Sequence, residues 1–145
     1  MFSGCLQSTV SDDTIAQEFA KADSSIETQK KTIIYFDVLQ DKSFDSFNQI
    51  FDAYTKANIP VEYSNTISDK YGLIWFDSKK LLIIDSGDQI SAGTIALQMH
   101  SQFESEGYNY KGRIDYNDSC NMYKKDAKEL FILQKEKYIF ILKDK

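Results

Sequence analysis

Histidine is nearly absent from this chain: His100 is the only one in 145 residues. A zinc site built on several histidines is therefore excluded, and any Ser–His–Asp or Cys–His arrangement has to use His100. The plainer reading of His100 is a partly exposed side chain on a helix. The two cysteines, Cys5 and Cys120, lie too far apart in sequence to form a metal or redox motif, and Cys120 reads as an incidental or buried thiol. One proline, Pro60, and 6 glycines leave no room for a long linker. There is no run of about 18 apolar residues, which excludes a membrane-spanning helix.

Several chemical motifs are also missing. No Gly-x-Ser-x-Gly elbow occurs. Ser86–Thr94 follows a strand pattern and opens a helix pattern, the right place for a phosphate loop. Yet neither Gly87 nor Gly93 is followed by Lys, and Asp88 puts negative charge where phosphate would sit. Asp88 reads better as a helix N-cap. No stretch spaces its oxygen ligands as a calcium loop does. Asp37 lies within an apolar run, which resembles the nucleophile strand of haloacid dehalogenase-type phosphotransferases. The second acid that family carries two residues later is replaced here by Leu39. Asp77 and Asp85 end two apolar runs and read first as turn and cap acids. No catalytic residue, cofactor or metal is assigned.

What is present describes a packed domain. Hydrophobic residues make up 42 % and aromatic residues 14 %, too rich for a disordered chain. The net charge is −5 and unevenly spread. Lys124–Lys145 holds seven lysines against Asp126, Glu129, Glu136 and Asp144, so the earlier residues are the acidic part. That acidity disfavours nucleic acid and suits either solubility or a basic protein partner.

Phe2-Ser3-Gly4-Cys5 resembles the tail of a lipobox, where bacterial lipoproteins are cut and acylated on Cys. Phe2 departs from the usual aliphatic residue, and the charged and apolar parts of a signal peptide are missing. Residues 1–10 are expected to be a flexible lead-in, either a tether lipidated at Cys5 or an ordinary terminus. The sequence as it stands suits the cytoplasm. A signal peptide upstream would make this a periplasmic or outer-membrane lipoprotein.

Residues 11–145 read as a single domain. Ile15, Phe19, Ala22 and Ile26 mark an amphipathic helix over about Asp13–Thr28. Thr32–Leu39 is β-branched and aromatic, the pattern of a buried strand. Ser43 caps a helix over Phe44–Ala57, which Pro60 stops. Val61, Tyr63 and Asn65 alternate with polar residues in a half-exposed strand. Leu73–Asp85 reads as a hairpin, and it is the stretch around which the rest arranges itself. Ile90, Thr94, Leu97 and Phe103 mark a helix over Gln89–Ser105, closed by Gly107. A strand over Tyr108–Tyr116 and a turn at Asn117–Ser119 follow. The segment after Cys120 is ambiguous. Glu129–Gln134 and Tyr138–Leu142 form a terminal hairpin, whose lysines guard an edge strand. The order implies an α+β fold: a mainly antiparallel sheet of about five to seven strands, with two or three helices on one face.

Tyr108, Tyr110, Arg113 and Tyr116 cluster in a way that suits a protein interface. The favoured function is a small acidic protein-binding domain without catalysis, of the general character of inhibitors and toxin-neutralising (immunity) proteins. The alternatives are an envelope lipoprotein anchored through Cys5 and an enzyme built on Asp37, Asp77 or Asp85.

Overall fold

The computed structural model describes residues 33–113 and 119–145. Val38–Lys145 forms one compact unit, and residues 33–37 belong to the unit that precedes it. Residues 33–37 are helical (α1), where the pattern pointed to a strand. A short apolar run fits a buried helix segment as well as a buried strand, and the β-branched residues of Thr32–Leu39 favoured the wrong one. The helix expected over Asp13–Thr28 lies outside the described residues.

Helix α2 spans Phe47–Lys56. Its N-cap is Ser46, whose side chain accepts the Gln49 amide at 3.3 Å. Ser43, expected as the cap, instead donates from Oγ to Glu136 at 2.7 Å. The strands are β1 (Tyr63–Thr66), β2 (Tyr71–Trp75), β3 (Lys79–Asp85), β4 (Asn109–Arg113), β5 (Ser119–Lys125), β6 (Lys128–Lys135) and β7 (Tyr138–Asp144); helix α3 (Gln89–Ser105) links β3 to β4. The ambiguous segment after Cys120 is thus β5.

These strands make one antiparallel sheet in the order β1-β2-β3-β7-β6-β5-β4. Strands adjacent in sequence pair as hairpins, apart from β3 and β4, which α3 separates. The long-range pairing is β3 with β7, from Lys79 opposite Asp144 to Asp85 opposite Tyr138. The middle strand is therefore β7, not the Leu73–Asp85 hairpin. All of Tyr138–Leu142 is buried, as a strand covered on both faces requires. The lysines of the terminal hairpin flank interior strands and protect no edge. Burial accordingly pushes the Lys143 pKa down.

Helices α2 and α3 lie on opposite faces of the sheet, where one covered face was expected. Ala92 and Phe103 of α3 pack with Ile84, Ile132, Ile139 and Ile141. Phe47 of α2 lies against Tyr138, ring centroids 6.1 Å apart. Successive residues of a strand point to opposite sides, so Tyr138 and Ile139 assign the two helices to two layers. Each layer buries large apolar side chains, at ~1.5–3 kcal/mol apiece.

The buried face of α3 also differs from expectation. Ala92 and Phe103 are buried, with Ile95, Ala96 and Met99 partly so, while Ile90 is 85 % and Leu97 69 % exposed. The caps are as expected. Asp88 accepts the Ser91 amide at 2.7 Å. Gly107 takes φ 98, and the Gly107 and Tyr108 amides donate to the carbonyls of Glu104 and Phe103. This is a Schellman motif, completed by Tyr108 packing on Phe103 with ring centroids 6.0 Å apart.

Candidate functional site

A cleft of about 340 Å³ runs between α3 and strands β4–β6. The helix wall is Gly93, Ala96, Leu97 and His100; the sheet wall is Tyr110, Asn121, Tyr123, Ile132 and Gln134. Small residues on the helix leave the space open. On a helical wheel this strip lies between the buried face and the Ile90–Leu97 face, so the cleft follows the flank of α3.

Three rings form one corner. His100, Tyr110 and Tyr123 stand with each pair of centroids 5.4 Å apart. His100 Nδ1 contacts the Tyr123 hydroxyl at 2.5 Å, and Nε2 contacts Glu104 Oε1 at 2.9 Å. Tyr110 donates its hydroxyl proton to Asn121 Oδ1 at 2.9 Å. Burial, then the nearby Tyr110 and Glu104, push the Tyr123 pKa up to about 12. The phenol therefore stays un-ionised. With Tyr123 donating to Nδ1 and Nε2–H donating to Glu104, each group of the chain has a partner. A tyrosine nucleophile or base needs its pKa lowered, and here it is raised. The Glu104–His100–Tyr123 chain fixes the wall of the cleft.

The structure brings together part of the predicted set. Tyr110 lines the cleft and is 45 % exposed. Arg113 pairs with Asn121 in register, which puts it on the same side of the sheet. Tyr108 is half-buried under the helix terminus, with Lys125 Nζ 5.8 Å from its ring centre, and so serves the fold. Tyr116 and Cys5 lie outside the described residues. His100 is a partly exposed side chain on a helix, and what sequence reasoning missed is its partners Tyr123 and Glu104. The spacing of four from Glu104 was the available signal, since such pairs meet on one helix face.

Comparison with protein-family models, with curated proteins and with solved structures returns no match. What the cleft can do therefore rests on its own groups.

The carboxylates are dispersed. Asp77 sits in the β2–β3 turn and Asp85 at the far end of β3, roughly 20 Å away at the rise of a strand. Asp85 accepts the Gly87 amide at 2.9 Å and lies 3.6 Å from Lys137 Nζ. Asp77 and Asp85 do not make an acid–base pair. No described helix is long and apolar enough to cross a membrane.

Proposed function

We propose that Val38–Lys145 is a non-catalytic protein-binding domain that seats an apolar side chain of its partner in the cleft beside α3. The observation that carries this reading is the rim. Leu97 and Tyr110 stand 69 % and 45 % exposed beside a cleft lined by Ile132. Exposed apolar groups around a concave site mark ligand and partner surfaces. Tyr and Arg are enriched among residues that dominate binding energy, and Tyr110 and Arg113 share this side of the sheet. An inhibitor, including one that neutralises a toxin, needs only such a surface.

Among the described residues, those that line the cleft include no Asp, Glu, Lys or Arg. Recognition at the cleft is apolar, and its salt dependence is correspondingly weak.

The test is a photo-crosslinking residue placed at position 97 in the native host, with position 56 on α2 as control. A protein adduct from position 97 and none from position 56 is expected. The purified partner should then bind the Tyr110→Ala variant about tenfold more weakly than the unsubstituted chain, the effect of a modest hot spot. Identical adducts from both positions, or undiminished binding by the variant, overturn the proposal.

A further inference from the structure

The two edges of the sheet are built differently. β4 carries Lys111 and Arg113 and has a bulge between Tyr110 and Gly112, with Gly112 at φ 97. Charge and bulge both discourage a further strand. The opposite edge, β1, is Tyr63-Ser64-Asn65-Thr66, uncharged, paired with β2 in unbroken register, and exposed at every residue. The Ile67 amide donates inward to the Tyr71 carbonyl at 2.8 Å. By antiparallel alternation, the amides and carbonyls of Ser64 and Thr66 then face outward.

The sheet face beside this edge is also open. Tyr63, Tyr71 and Trp75 are 46 %, 43 % and 43 % exposed, and Ile67 is 59 % exposed. Tyr63 and Trp75 pack in a tilted arrangement with ring centroids 5.6 Å apart. An aromatic strip therefore runs up to an unguarded edge.

We infer that β1 is the seam of a homodimer, in which two copies pair β1 with β1, antiparallel, about a two-fold axis at Asn65. Opposed side chains must share a face, so odd residues oppose odd and even oppose even. Centring on Asn65 sets Ser64 against the partner's Thr66, and the outward backbone groups of each are satisfied, twice by symmetry. The same register places Tyr63 opposite the partner's Ile67, an aromatic–β-branched pair on the open face. Centring on Ser64 would waste that match, setting Tyr63 against Asn65. No charge lies in the seam, so identical copies approach without the repulsion that Lys111 and Arg113 impose at β4. This self-complementarity singles out a second copy as the occupant. The cleft lies over β4–β6, towards the opposite edge of the sheet on the same face, and is independent of the seam.

Sedimentation equilibrium of the full chain from about 1 to 100 µM should show mass rising towards twice 16.7 kDa. Ser64→Pro removes an outward amide and leaves the β1–β2 ladder intact, so dimer dissociation should strengthen at least about tenfold. In a Cys5→Ser background, Asn65→Cys should form an interchain disulfide under mild oxidation, because the non-hydrogen-bonded partners stand about 4.5 Å apart at Cα. Ser64→Cys should not, since its two copies are offset along the seam. A monomer throughout the range, a dimer indifferent to Ser64→Pro, or equal crosslinking at both positions overturns the inference. If Ser64→Pro unfolds the chain, as circular dichroism would reveal, the two cysteine variants decide alone.

Discussion

Replacing Gly72 by alanine tests how α2 seats on the sheet. An added Cβ would lie 2.8 Å from Cδ1 and 3.2 Å from Cε1 of Phe47. Phe47 has little freedom to retreat. It is 8 % exposed, and its ring stands 6.1 Å from Tyr138 and 6.5 Å from Phe51. Overpacking of this kind costs ~1–3 kcal/mol. Replacing a glycine returns roughly 0.4–1 kcal/mol by restricting the unfolded chain. The net loss should be about 1–2 kcal/mol, or roughly 3–8 °C in melting temperature for a domain of this size. Urea unfolding followed by the fluorescence of Trp75, the only tryptophan, reads this as a lower midpoint at constant slope. The same substitution in a Phe47→Leu background should cost less, because the narrower side chain clears the added methyl. A coupling of at least about 0.5 kcal/mol between the two positions is expected. A neutral Gly72→Ala, or an equal cost in both backgrounds, would refute the close approach of Phe47 to β2.

Two predictions concern pH. Burial raises the Glu129 pKa, against the opposing pull of Lys124 and Lys79. The folded state then holds that proton more tightly than the unfolded one, so this contribution is complete below the ordinary carboxylate pKa and is lost as pH rises through the raised value. Glu129→Gln should therefore raise the urea midpoint at pH 7, with the gap closing near about pH 4; a gap independent of pH contradicts this. Asp88 has the opposite sign, its pKa lowered chiefly by the Ser91 amide. Its contribution is present above the ordinary carboxylate pKa and is lost as pH falls through the lowered one. Asp88→Ala should lower the melting temperature at pH 7, less so in strong acid, with Asp88→Asn in between. An alanine variant as stable as the original at pH 7 would remove Asp88 from the cap.

The sequence pattern placed Tyr110 and Arg113 on one strand but gave no hint that α3 would form a cleft with Tyr110. Tyr108, equally conspicuous as a residue type, turned out to complete a helix terminus.

By itself the sequence determined the local elements. Leu73–Asp85 and the terminal hairpin were legible because short polar links between apolar runs leave little but a turn. Asp88 and Gly107 were legible as caps because end-of-helix amides and carbonyls demand particular residues within one turn. Tertiary structure decided what locality cannot. α3 carries two stripes of helical spacing, Ile90–Thr94–Leu97 and Ala92–Ile95–Met99–Phe103, and either could face a core. Its course over β6 and β7 buries the second and leaves the first exposed. The contact of His100 with Tyr123 spans 23 positions, and β3 meets β7 across an intervening helix and three strands. Such pairings depend on the whole sheet being assembled, because no local preference distinguishes one apolar strand as a neighbour from another.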